Sequence, residues 1–172
     1  SATAEDQTPL RLAQMDSYAP TGTFTLAEEA ARLARESGAT VHVVEGVADL
    51  ADPTASARLV EAARDRFGRI DAAAAFSGRV VTGRFLQSSP DDLAAVVSGC
   101  LEAPYHFLRA VVAPMVEQGS GQVLLLTSAA GNRVTPGAPL YSAVRAGATH
   151  LVRNVAAEVA RHGVQVNAVG TN

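Results

Sequence analysis

The stretch Gln122-Val123-Leu124-Leu125-Leu126-Thr127-Ser128 decides the fold of this chain. Its apolar run predicts a strand over Gln122–Thr127, with Ser128 at the carboxyl end. A loop rich in Gly and Pro follows, and the spacing then predicts a helix from about Tyr141 to Arg161, closed by His162-Gly163. The β-branched run Val164–Val169 predicts a further strand. A strand, a helix and a second strand in succession indicate a βαβ unit.

The same alternation extends towards the N-terminus. Residues 1–25 contain Pro9 and Pro20 and predict no regular element. The elements predicted after them are a helix at Leu26–Ser37, a strand at Val41–Val44, a helix opened by Asp52-Pro53 and ended by Gly68, a strand at Ile70–Phe76, and a long helix at Asp91–Gln118.

Strands that alternate with long helices indicate a mostly parallel sheet, and right-handed crossovers place helices on both of its faces. We therefore predict the α/β class, with a Rossmann-like, doubly wound parallel sheet. A chain of 172 residues has room for one such domain, over residues 1–172.

Composition excludes several function classes. All fourteen basic residues are arginine, they are scattered, and the net charge is −3, which does not indicate a nucleic-acid surface. Without lysine, Schiff-base chemistry is excluded. No apolar run approaches the roughly 18 residues of a membrane span. The single cysteine, Cys100, forms no internal disulfide, and its apolar neighbours predict a buried position, so we expect a cytoplasmic protein.

Three polar side chains stand where an open α/β sheet places its site. Ser128 ends a strand, Tyr141 begins a helix thirteen residues later, and Arg145 follows at i+4 on the same helical face. A fixed positive charge favours the phenolate form of a tyrosine, which then takes or gives a proton while the serine holds the substrate oxygen. The alternative is a surface pair of Tyr141 and Arg145 with Ser128 as an ordinary turn residue.

The pattern Ser-x12-Tyr-x3-Arg resembles the triad of halohydrin dehalogenases, which share the short-chain dehydrogenase fold and replace its catalytic lysine with arginine. The resemblance runs from about Leu26 to Asn172. It is carried by Leu126-Thr127-Ser128-Ala129, by Tyr141-Ser142-Ala143-Val144-Arg145-Ala146-Gly147-Ala148, by Val80-Val81-Thr82-Gly83-Arg84-Phe85-Leu86 and by residues 161–172. The last two segments are most similar to the subgroup that accepts bulky or cyclic epoxides.

The resemblance implies a cofactor-independent lyase that converts vicinal halohydrins to epoxides with release of halide, and that opens epoxides with azide, cyanide or nitrite. Ser128, Tyr141 and Arg145 would be catalytic, and Val81, Gly83 and Asn172 would line the halide and substrate pocket. It also implies a homotetramer paired through Asp91–Gln118 and Tyr141–Arg161, whose predicted outer positions include Val112, Val152 and Val155.

Departures from the parent dehydrogenases favour the absence of a cofactor. No glycine precedes Gly22, so the Gly-rich phosphate turn is not evident. The usual Asn-Asn-Ala-Gly reads Ala75-Phe76-Ser77-Gly78, and Cys100 stands where reductases carry a relay asparagine. Asp49 resembles an acidic contact to adenine, although it also suits a turn. The four histidines lack ligand spacing, so we predict no metal.

Two other functions stay open. An NAD(P)-dependent short-chain oxidoreductase would use Tyr141 in the usual way, and a degenerate scaffold would keep the fold for oligomerisation only. The family's first strand and C-terminal part are not evident. We therefore expect that the sequence represents the working protein incompletely at both ends.

Overall fold

Within residues 32, 34–44 and 49–171, which the computed structural model describes, three parallel strands form one sheet. They are β1 (Ala72–Phe76), β2 (Gly121–Ser128) and β3 (Val164–Thr171). β2 is central and pairs with both neighbours; Leu125 lies opposite Ala75 on β1 and Ala168 on β3. The three strands predicted from the apolar runs are confirmed, with bounds that move by one or two residues.

Four helices alternate with these strands. They are α1 (Pro53–Phe67), α2 (Pro90–Val97), α3 (Ala103–Gln118) and α4 (Pro139–Val159), and residues 32 and 34–37 are also helical. The predicted long helix at Asp91–Gln118 is interrupted, because a π-helical segment, Ser98–Glu102, joins α2 to α3. π-Helical turns inside α-helices frequently occur at functional sites.

Local sequence signals explain where the helices begin and end. The Asp52 side chain accepts a hydrogen bond from the N–H of Thr54 at 2.8 Å and caps α1. Ser89 and Asp92 form a reciprocal capping box at the start of α2. Gly68 ends α1 and Gly119 ends α3, each with a left-handed backbone (φ 76° and 75°) that favours glycine.

One face of the sheet carries the core. The alternate positions Ala75 on β1, Leu125 on β2 and Val166 on β3 are buried in a single cluster with side chains of α1, α3 and α4. The opposite face of the strands presents half-exposed Phe76 and Val169 among the described residues. This architecture confirms the predicted α/β class and its Rossmann-like parallel sheet with packed helices.

Two local predictions are wrong. Residues 41–44 belong to none of the strands in the described part of the chain, because a β-branched run becomes a strand only where a neighbour offers backbone hydrogen bonds. Val152 does not lie on the outer face of α4. It is 3% exposed and packs in the core, since it lies on the face of the helix that is turned toward the sheet.

The core predicts a sharp contrast between two apolar truncations. Met115 is 0% exposed and lies so close to β2 that a Cβ at Gly121 would collide with its side chain, whereas Leu86 is 94% exposed. Met115→Ala should lower the free energy of unfolding by about 2–5 kcal/mol. Leu86→Ala should change it by less than about 0.5 kcal/mol. The two variants are compared by urea titration. Equal shifts of their unfolding midpoints would contradict the described packing.

Candidate functional site

Ser128 stands at the carboxyl end of the central strand, as predicted. The chain leaves β2 through a short 3-10 turn, Ala129–Asn132, and the Ser128 hydroxyl oxygen accepts a hydrogen bond from the N–H of Ala130 at 3.2 Å. A serine hydroxyl has one proton and two lone pairs. The contact to Ala130 uses one lone pair, so the proton and the other lone pair are left for a bound molecule.

Tyr141 and Arg145 meet on the first turns of α4. The Nε–H of Arg145 donates a hydrogen bond to the Tyr141 hydroxyl at 3.2 Å, and the Arg145 Cζ lies 5.3 Å from the centroid of the tyrosine ring. The i,i+4 spacing puts both side chains on one helical face, as predicted. A cation therefore lies within hydrogen-bond distance of the phenol oxygen.

The guanidinium of Arg145 is buried and holds two strand ends as well as the tyrosine. Its Nη2 donates to the backbone carbonyl of Ser77, just after β1, at 2.6 Å, and its Nη1 donates to the carbonyl of Leu126 on β2 at 3.4 Å. Arg145 is only 5% exposed. The interpretation of Tyr141 and Arg145 as a surface pair is therefore wrong.

Two glycines make room for this arginine. A Cβ at Gly78 would collide with Nη2 of Arg145, and one at Gly131 would lie 2.8 Å from the carbonyl carbon of Arg145. Sequence reasoning missed the roles of Ser77 and Gly78. The signal available was the pair Ser77-Gly78 at the end of a buried strand, where a small residue allows close approach.

The predicted pocket residues are only partly brought together. Val81 and Gly83 line a cavity of about 200 Å³ that also contacts Arg84, Asp92 and Leu140. The N–H of Gly83 donates to the carbonyl of Gly137 at 2.7 Å and ties this loop to the start of α4. Val81 and Tyr141 both pack against the buried cluster of Val96, Cys100 and Val144. Asn172, the third predicted pocket residue, lies outside the described residues.

The Asp92 carboxylate in that cavity already accepts hydrogen bonds within the protein. The backbone N–H and the hydroxyl of Ser89 both donate to its carboxylate, at 2.8 and 2.9 Å, and they hold the pKa of Asp92 below its usual range. In the described ranges, no three His, Cys, Asp or Glu side chains are grouped to hold a metal ion. No helix among them is long and apolar enough to cross a membrane.

Comparison with known proteins shows that the chain is similar to oxidoreductases. A protein family described as Enoyl-(Acyl carrier protein) reductase matches residues 20–171. The chain is 30% identical over 124 residues to Oxidoreductase UcpA of Escherichia coli strain K12, which covers 72% of this chain and 47% of that protein. It is 35% identical over 112 residues to a 3-oxoacyl-[acyl-carrier-protein] reductase of Synechocystis, which covers 65% of this chain and 45% of that protein.

A solved structure, "ElxO with NADP Bound", superposes with a TM-score of 0.73 at 18% identity and covers 85% of this chain and 59% of that one, which shows the fold. The chain spans about half the length of the two curated relatives above, 47% and 45%.

The predicted halohydrin dehalogenase activity is wrong, and so is the lyase class, because the relatives are oxidoreductases. That prediction rested on the spacing of Ser128, Tyr141 and Arg145 and on the resemblance of the segments around them. In the structure that arginine is hydrogen-bonded to two backbone carbonyls and to Tyr141, an arrangement that does not select dehalogenation.

The three contacts of Arg145 predict that lysine is a poor substitute. A single ammonium nitrogen cannot reach Ser77, Leu126 and Tyr141 together, whereas the planar guanidinium fork does. Arg145→Lys should lower the free energy of unfolding by about 1–3 kcal/mol. The matched control is Arg153→Lys, an exposed position on the same helix, which should behave as wild type in urea titrations. Equal effects at the two positions would contradict the anchoring role.

Proposed function

This chain belongs to the short-chain dehydrogenase/reductase superfamily, and we propose that it is an oxidoreductase that interconverts a carbonyl group and an alcohol. The observation that carries the proposal is the Tyr141 hydroxyl, held by a buried arginine beside the carboxyl ends of β1 and β2. Open α/β sheets bind their ligands at such strand ends.

Tyr141 and Ser128 divide the work of the reaction. The Tyr141 hydroxyl gives a proton to the carbonyl oxygen in reduction and takes it back in oxidation. The Ser128 hydroxyl donates a hydrogen bond to the same oxygen and keeps it in place. Arg145 orients the phenol oxygen through the hydrogen bond from its Nε.

A nicotinamide cofactor, NAD(H) or NADP(H), when bound supplies or accepts the hydride. One observation fits such a group: the Ser77 hydroxyl, just after β1, is buried and has no hydrogen-bond partner among the residues that the structure describes. A buried hydroxyl without a partner costs about 1–3 kcal/mol, which a bound polar group would recover. Ser77 and Tyr141 would hold the reacting end. The segment around Gly22 lies outside the described residues.

The cavity beside Val81 and Gly83 is proposed as the place for the part of the substrate next to the carbonyl. Leu140, which lines it, immediately precedes Tyr141, so the cavity adjoins the proton donor along the chain. Its volume of about 200 Å³ suits a small group, and its polar lining includes Arg84.

A homo-oligomer is proposed from the groove between α3 and α4. The groove has a volume of about 540 Å³ and includes the predicted outer positions Val112 and Val155, together with Val116 and Leu151. It also includes both cations and anions, among them Arg109 and Glu158, so that the same patch on a second copy offers complementary charges across a two-fold axis.

We also propose that the protein acts in the cytoplasm. The support is the single cysteine, Cys100, which is buried and free of any disulfide. A reducing compartment suits a chain that uses no disulfide for stability.

Removing one hydroxyl tests the proposed chemistry. Tyr141→Phe should lower kcat for NADPH-dependent reduction of a 3-oxoacyl thioester by about 10²–10⁴-fold, because the proton donor is lost. The reaction is followed by the loss of NADPH absorbance. The matched control is Tyr105→Phe, a half-exposed tyrosine on α3 that lies outside the site, which should keep wild-type kcat.

Turnover that persisted in Tyr141→Phe would contradict the assignment of the proton donor. Turnover by the wild type with no nicotinamide present would contradict the oxidoreductase itself. Circular dichroism of both variants shows whether each is folded before rates are compared.

Charge placed in the groove tests the oligomer. Val155→Asp should convert a wild-type oligomer to monomer in light scattering at micromolar concentration, because an unpaired carboxylate would be buried between two copies. Val134→Asp, at a position 92% exposed on the loop before α4, is the control and should keep the wild-type assembly. A monomeric wild type would exclude the proposed pairing.

A further inference from the structure

The loop of residues 77–79 lies against the Arg145 guanidinium. It leaves β1 at Phe76, and its first carbonyl, that of Ser77, receives the shortest hydrogen bond that Arg145 makes, 2.6 Å from Nη2. The loop has no regular secondary structure of its own to fix that carbonyl. Another part of the structure must therefore hold the Ser77 carbonyl in position against the guanidinium.

The thiol of Cys100 holds the loop from the other side. Cys100 lies in the π-helical segment and is 0% exposed. Its Sγ accepts a hydrogen bond from the backbone N–H of Arg79 at 3.4 Å and donates one to the backbone carbonyl of Arg79, also at 3.4 Å. One thiol therefore satisfies both polar backbone groups of a loop residue, using the donor and the acceptor that a thiol has.

The packing around these contacts leaves no room for a side chain at Gly78 or Gly99. A Cβ at Gly78 would collide with Nη2 of Arg145 on one side and lie 3.7 Å from the Cys100 Sγ on the other. A Cβ at Gly99, beside Cys100, would lie 2.8 Å from the backbone nitrogen of Arg79. The loop is thus held between the π-helical segment and the arginine, with backbone in contact on both sides.

From these contacts we infer that Cys100 is a positioning residue for the proton donor Tyr141, acting through the 77–79 loop and the Arg145 guanidinium. The inference rests on the proposed function for the identity of the reaction. It assigns a role to a buried thiol whose side chain touches neither substrate nor cofactor in the proposed chemistry. Cys100 also shares its apolar cluster with Val96, Val144 and Tyr141, so packing and hydrogen bonding must be separated experimentally.

The effect of losing the thiol follows from the geometry. If the Arg79 backbone is released, the Ser77 carbonyl moves, and the guanidinium follows its shortest hydrogen bond. The 3.2 Å contact from Nε to the Tyr141 hydroxyl then changes with it. Displacing a reacting group by about 1 Å costs up to about 10²-fold in rate. Substrate affinity should change little, because the loop is not part of the proposed substrate cavity.

Three substitutions separate hydrogen bonding from packing. Cys100→Val fills the space without a polar atom, Cys100→Ser keeps a donor and an acceptor, and Val96→Ala removes bulk from the same buried cluster while leaving the Cys100 thiol in place. At saturating nicotinamide, we expect kcat to fall by about 10- to 100-fold in Cys100→Val, with KM for the carbonyl substrate within about twofold of wild type. Cys100→Ser should rescue kcat to within about threefold. Val96→Ala should lower stability but keep wild-type kcat.

A second measurement reports the position of Tyr141 directly. With tyrosine labelled at the ring carbon that bears the hydroxyl (13Cζ), the Tyr141 resonance is assigned by its loss in Tyr141→Phe. It should move in Cys100→Val and keep its wild-type position in Cys100→Ser and Val96→Ala. Cys100→Ala, which lacks the hydrogen bonds without adding a branched side chain, replaces Cys100→Val if the latter does not fold.

The outcomes of the two measurements are distinct. Wild-type kcat and an unmoved Tyr141 resonance in Cys100→Val overturn the positioning role, and so does an equal change in Val96→Ala, which would assign the effect to packing. Absence of any nicotinamide-dependent turnover in the wild type overturns the proposed function. In that case the resonance alone still decides whether Cys100 positions Tyr141.

Discussion

The buried guanidinium of Arg145 is the interaction on which the site depends. It joins three parts of the chain that are distant in sequence: the end of β1 at Ser77, the end of β2 at Leu126 and the start of α4 at Tyr141. Removing a cation from water costs several kcal/mol unless polar groups replace the lost hydration. Two carbonyl oxygens and a hydroxyl do so here. Because all three act together, the strand ends and the helix are held at fixed distances from one another.

That arrangement also explains the small residues around the site. Gly78 is required where it stands, since a side chain there would meet the guanidinium, whereas a side chain at Gly131 would meet the backbone of α4. The π-helical turn at Ser98–Glu102 has a matching role, because it presents Cys100 to the backbone of Arg79. In this site, backbone groups of the strand ends and the 77–79 loop lie close around one charged side chain.

Periodicity and spacing were sufficient for much of this structure. The strand Gln122–Thr127 and the i,i+4 pair Tyr141 and Arg145 depend on local rules, so they could be predicted. Whether residues 41–44 pair, and whether Val152 faces inward, depends on neighbours far along the chain. The contacts of Arg145 to Ser77 and Leu126 are also tertiary, and no local pattern indicates which carbonyls a buried guanidinium will find. The narrower functional prediction failed for a different reason: it was drawn from a resemblance of short segments, and the relatives that match longer stretches of the chain are oxidoreductases.

In this sequence without lysine, an arginine is the cation beside Tyr141. An ammonium offers its charge from one nitrogen, whereas the guanidinium spreads donors over three nitrogens in a plane. Here Nε faces the phenol, and the two Nη atoms face the sheet. Nε therefore contacts the tyrosine, while the two Nη atoms are held by backbone carbonyls. Arginine at position 145 constrains the neighbouring sequence. Position 78 must lack a side chain, and the 77–79 loop must be held by the π-helical segment. The identity of residue 145 and the backbone of that loop consequently form one structural unit.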